Sequence, residues 1–80
     1  MSPKVIKVEP LESYRLRLIF DNGEIRRFEV TPYLKKGVFT ELQNIEYFQK
    51  VRPSFGGIQW LHDQDFSPDT LYLTSQLEEK

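Results

Sequence analysis

The stretch from Tyr14 to Val30 leaves the chain little choice of conformation. Tyr14, Leu16, Leu18 and Phe20 alternate with Arg15 and Arg17, a period of two that only an extended strand can sort onto two faces. Asp21-Asn22-Gly23 follows as a turn signal, and Glu24 to Val30 reads as the returning strand of a hairpin. A two-residue loop would pair Leu16 with Glu29 and Arg17 with Phe28, mixing charge and apolar side chains on one face. A three-residue loop, with Gly23 as the left-handed residue, pairs Leu16 with Phe28 and Tyr14 with Val30. A shift of one residue turns every side chain over, so the hydrophobic pattern selects the longer loop. The outer face then carries Arg15 opposite Glu29, Arg17 opposite Arg27, and Ile19 opposite Ile25. Arg26, opposite Leu18, falls on the inner face, where its guanidinium can reach the sheet rim over a buried stem.

The flanking segments are weaker in pattern. Lys4 to Glu9 alternates as a short strand with Ile6 and Val8 on one face, and Pro10 stops it. Lying at a sheet edge, it could recruit a second copy of the chain, so a homodimer is a candidate assembly. Thr31 to Leu34 leaves the sheet, Lys35-Lys36-Gly37 turns, and Val38, Phe39 and Leu42 anchor an irregular segment. Asn44 is a good N-cap for a helix from Ile45 to Val51, with Ile45 and Phe48 inward and Pro53 ending it. Phe55 to Leu61 reads as a strand carrying Ile58 and Trp60. Ser67 and Pro68 open a second, short helical turn. The expected fold is α+β, mainly an antiparallel sheet of about four strands with one short helix and a helical turn near the C-terminus. The chain reads as a single domain over residues 1–80, with its core in about 4–73 and residues 76–80, polar apart from Leu77, fraying.

Size and composition narrow the function. An 80-residue chain exposes roughly 5,100 Å² when folded, against roughly 13,900 Å² extended, which leaves one thin core and little room for an enclosed active site. With no cysteine and one histidine, thiolate chemistry, Cys-based zinc and His-rich metal clusters are excluded. No cofactor or metal is indicated. The absence of alanine favours strands over long helices. Eleven basic residues balance twelve acidic ones, which argues against bulk attraction to nucleic acid. No apolar run approaches a signal sequence or a membrane span, so a cytoplasmic location is expected, with no membrane partner.

Two groups of residues are candidates for contact. Arg15, Arg17, Ile19, Ile25, Arg27 and Glu29 form a mixed basic and aliphatic hairpin face, suited to a protein partner; the structural alternative is an ordinary solvated sheet face. Its arginines could also meet phosphates, although no aromatics interleave them for base stacking. Trp60, His62, Asp65 and Asp69 are candidates for a pocket late in the chain, with Trp60 equally suited to the core. Asp63, Asp65, Ser67 and Asp69 begin a calcium-loop spacing, but its glycine falls on Pro68 and its closing glutamate on Thr74. His62 and Asp63 are adjacent and point apart on an extended segment, and no serine sits in a nucleophile setting. Catalytic residues are therefore not assigned, and a non-enzymatic domain is expected.

Several segments together carry a family resemblance. They are Tyr14 and Leu16 with Phe20-Asp21-Asn22-Gly23-Glu24, Phe28-Glu29-Val30-Thr31-Pro32-Tyr33-Leu34, Gly37-Val38-Phe39 with Leu42, Tyr47-Phe48 with Val51, Ile58 with Trp60, and Asp65-Phe66-Ser67-Pro68-Asp69-Thr70-Leu71-Tyr72. The chain resembles the small bacterial domain of unknown function 2442, over about Val5 to Tyr72. Leu61-His62-Asp63 and Glu29 depart from its usual pattern. The resemblance implies an α+β fold and no established activity. It also implies two contexts: fusion to a helix-turn-helix domain, a pattern absent here, and an antitoxin-side role beside a small companion protein. A protein-interaction or regulatory module is the expected function, and a nucleic-acid-associated or autoregulatory domain is the alternative.

Overall fold

A computed structural model describes residues 2–78. Its centre is the hairpin. Strand β1 (Val5–Pro10) pairs with β2 (Arg15–Phe20), and β2 pairs with β3 (Ile25–Glu29), all antiparallel. The β2–β3 register is the one the hydrophobic pattern selects: Leu16 faces Phe28, Arg17 faces Arg27, and Ile19 faces Ile25. Asp21, Asn22 and Gly23 form the three-residue loop, closed by Phe20 N–H donating to the Glu24 carbonyl at 2.9 Å. Gly23 sits at φ 87°, a conformation that costs a side-chain-bearing residue about 1–2 kcal/mol.

Helix α1 (Ile45–Phe48) is shorter than the Ile45 to Val51 helix expected. Asn44 caps it, its side chain accepting from the N–H groups of Glu46 and Tyr47. The chain must then extend ahead of Pro53, and β4 (Arg52–Ser54) begins there. Ile45 is exposed; Tyr47 and Phe48 are the buried residues of this turn. The single strand expected over Phe55 to Leu61 is instead half of a second hairpin, in which β4 pairs with β5 (Gly57–Gln59) around Phe55-Gly56. Strand β6 (Asp65–Phe66) completes a three-stranded sheet in the order β4-β5-β6.

Ser67 caps α2 (Pro68–Thr74) as expected, accepting from the Thr70 N–H. Beyond it, β7 (Gln76–Leu77) pairs with β3, giving the main sheet the order β1-β2-β3-β7. So Gln76 and Leu77, expected to fray, lie in a strand, and Glu78 N–H donates to the Ile25 carbonyl at 2.9 Å; residues 79–80 lie outside the described residues.

The inner faces meet in one core. Leu16, Leu18, Phe20, Phe28 and Val30 of the hairpin join Leu42, Phe48, Ile58, Trp60, Phe66 and Leu71. Phe66 is central to its aromatic part, with ring centroids 4.9 Å from Phe28, 4.9 Å from Tyr33 and 5.0 Å from Phe39. In β1 the inward residues are Val5 and Val8, with Ile6 exposed. A bulge between Val5 and Lys7 corrects the simple alternation: the extra residue moves Ile6 out and lets both valines face the core. Val38, expected as an anchor, is exposed, and the neighbouring Leu42 is fully buried. Among the described residues, no helix is long and apolar enough to cross a membrane.

Candidate functional site

The outer face of the hairpin is built by the period of β2 and β3 and finished by the C-terminal strand. Arg17 and Arg27 stand opposite each other, a repulsive pair unless an anion joins them. Glu78 does so. Its Oε1 accepts from Arg17 Nη2 at 3.0 Å and from Arg27 Nε at 2.8 Å, while Arg17 Nη1 lies 3.8 Å from Glu9. Hydrogen bonds from Arg17 first, and then Arg27, hold the Glu78 carboxyl below the usual glutamate range. Ile19 and Ile25 pair beside this network, with Ile25 exposed. Arg15 and Glu29 close the other end of the face, where with Thr74 and Gln76 they border a notch of about 310 Å³.

Arg26 does what its inner-face position demands. Its guanidinium reaches the rim, donating to Glu24 at 2.7 Å, to Ser75 Oγ at 2.8 Å and to the Ser75 carbonyl at 2.9 Å, and it lies 4.6 Å from the Tyr72 ring centroid. Tyr72 in turn donates to Glu24 at 2.7 Å. The hairpin and α2 are thereby joined through polar groups, which leaves the outer face open.

A second surface lies at the small sheet. The Phe55-Gly56 turn borders a groove of about 360 Å³, with Ile58, Asp65, Phe66 and Pro68 among its lining.

A family model described as a protein of unknown function, DUF2442, matches residues 5–76. The chain belongs to that family. No curated protein and no solved structure matches it.

In this DUF2442 chain the six residues expected on the hairpin face share that face, and the four expected around a pocket are dispersed. Trp60 is a core residue, fully buried, with Nε1 donating to the Phe48 carbonyl at 2.9 Å. His62 is exposed; its Nδ1 lies 2.7 Å from Glu41, and its ring stacks on Tyr47. Asp65 lines the groove, and Asp69 occupies the first turn of α2. Among the described residues, no three acidic or histidine side chains converge on a metal-sized site.

Three features escape sequence reasoning. Glu78 is the partner of two arginines far away in the chain, and the only signal for it was the unbalanced Arg17–Arg27 pair. Gln64 is buried, donating to the Val38 carbonyl and to Glu41 and accepting from Tyr47 at 2.5 Å; nothing in a polar loop marks it. Phe55 is fully exposed at the tip of the second hairpin, and the Gly56-Gly57 pair after it was the available signal for a turn.

Proposed function

We propose that this domain is a non-enzymatic protein-interaction module, using the open outer face of the β2–β3 sheet to hold and regulate a companion protein. The observation that carries the reading is the internal pairing of that face. Arg17 and Arg27 are matched by Glu78, and Arg17 again by Glu9. The charges thus form a nearly balanced border beside the Ile19–Ile25 pair, the arrangement of an interface with an aliphatic centre and a polar rim. Glu78 also weighs against the nucleic-acid alternative, because a phosphate would have to displace a carboxylate that already holds both arginines.

Coexpression with the products of the adjacent genes tests it. The wild-type domain is expected to co-purify with one of them on gel filtration, and an Ile25→Glu variant with an unchanged melting temperature is expected to lose it. Retention by the variant, or no co-purifying product, overturns the proposal. Duplex DNA titrated at several salt concentrations gives the competing outcome: salt-dependent binding lost on Arg27→Glu would assign the face to nucleic acid instead.

A further inference from the structure

The second hairpin carries a side chain that folding does not explain. Ser54 pairs with Gly57, so Phe55 and Gly56 make the whole turn, at φ 49° and φ 82°. A tight turn with both central residues left-handed favours Asn, Asp or Gly at its first position. Here that position holds phenylalanine, 100% exposed. The ring therefore combines backbone strain with unburied apolar surface, and gains no packing within the domain. The turn is also held firmly. Val5 N–H donates to the Gly56 carbonyl at 2.8 Å, and the side chains of Lys4 and Pro68 close on Gly56. Strain retained in a braced position is a pointer to function.

Beside the ring runs the groove of about 360 Å³, along β6 at the edge of the small sheet. Phe55 and the half-buried Pro68 contribute its apolar part, above the buried Ile58 and Phe66, and Asp65 contributes its charge. Asp65 is exposed and makes no ion pair among the described residues. Neither lysine nor arginine lines the groove; Lys4 packs its stem on Gly56 outside it. An aromatic face, a carboxylate without a counterion and the Pro68 ring together match a cation carried on an aliphatic stem.

We infer that this groove binds an extended partner segment through an arginine side chain, whose guanidinium stacks on Phe55 and pairs with Asp65. Arginine fits better than lysine because its planar, weakly hydrated head can stack and donate at once. The surface shares no residue with the sheet face, so this inference stands independently of the proposed function.

The test is an amide chemical-shift titration of the full chain with a blocked Val-Arg-Val-Arg tetrapeptide, with Val-Glu-Val-Glu as control. The arginine peptide is expected to bind at about 1 mM, shifting Phe55, Gly57, Gln59, Asp65 and Phe66, while the glutamate peptide leaves them unmoved. Phe55→Asn keeps the turn and removes the ring, and is expected to weaken binding by about two- to fivefold. Asp65→Asn is expected to weaken it and to flatten its salt dependence. Ile25→Glu, on the other face, is expected to change nothing. The inference is overturned by equal binding of the two peptides, by shifts confined to the arginine-bearing sheet face, or by concentration-dependent shifts at the groove without peptide, which would make a second copy of this chain the occupant.

Discussion

Arg17 and Glu78, separated by 61 positions, meet at 3.0 Å on the outer face of the sheet. The contact ties the end of the described chain to its central hairpin and neutralises a like-charge pair that the register makes unavoidable. Glu78→Gln keeps the shape and removes the charge. It is expected to lower the melting temperature at low salt, and added sodium chloride is expected to recover part of the loss by screening Arg17 from Arg27. Thermal melts of both proteins across a salt series check this; equal salt responses would show that Glu78 is not the counterion.

Acid should act through the same carboxylates. Glu78 is held low by Arg17 and then Arg27, Glu24 by Tyr72 and then Arg26, and Glu41 by Gln64 and then His62. Each gives up its proton more readily folded than unfolded, so the unfolded chain binds more protons as the pH falls. The stability these groups contribute is complete above the ordinary value of 4.5 and is lost progressively below it. Denaturant melts between neutral pH and pH 3 are expected to show this decline, with a shallower slope in Glu78→Gln.

Glycine has two different roles here, and one substitution separates them. An alanine Cβ at Gly57 would stand 2.1 Å from the Phe66 carbonyl oxygen, a backbone atom of the neighbouring strand. At Gly23 nothing lies within 4 Å, and only the positive φ opposes a side chain. Gly23→Ala is expected to cost about 1–2 kcal/mol. Gly57→Ala must part β5 from β6 and is expected to cost about 3 kcal/mol or more. Urea unfolding of the two variants gives the comparison directly, and a reversed order would mean that the small sheet yields more easily than its packing implies.

The hairpin, both helix caps and most of the core were legible because each is written locally. A period of two with a countable loop fixes a register, and Asn44 or Ser67 ahead of an apolar turn fixes a helix start. What was not legible depends on single residues or distant partners. One extra residue at Ile6 makes a bulge without disturbing the composition. Strand β4 is three residues around a proline, too short for any periodicity, and β7 is two. The hairpin face could be assembled from sequence because it lies within one hairpin; its counterion could not. The Phe55 groove joins the second hairpin to β6 and the start of α2, and no local pattern brings those together.

Gln64 shows the same limit from the energetic side. It is buried, with polar partners from two segments: Tyr47 donates to its Oε1, while its Nε2 donates to Glu41 and to the Val38 carbonyl. Tyr47 also accepts from the His62 N–H at 2.8 Å, so the loop that carries His62 hangs on this amide. Gln64→Leu preserves volume but leaves the hydroxyl of the buried Tyr47 without its acceptor, and is expected to cost about 1–3 kcal/mol. Chemical denaturation measures the loss, and the His62 amide should exchange faster with solvent in the variant. A neutral substitution would mean that water replaces the amide without penalty.

Phe55→Asn should move stability the other way. The left-handed turn position penalises phenylalanine, and asparagine tolerates it with a side chain that can hydrogen-bond locally. No packing is lost, because the ring is fully exposed. The variant is expected to gain about 1 kcal/mol, a rise in melting temperature of about 4–8 °C for a domain of this size. Calorimetry of the two proteins checks it. A gain in stability together with weaker binding of the arginine peptide would mark Phe55 as kept for contact at the expense of the fold. A loss of stability would mean that the ring supports the turn in a way its exposure conceals.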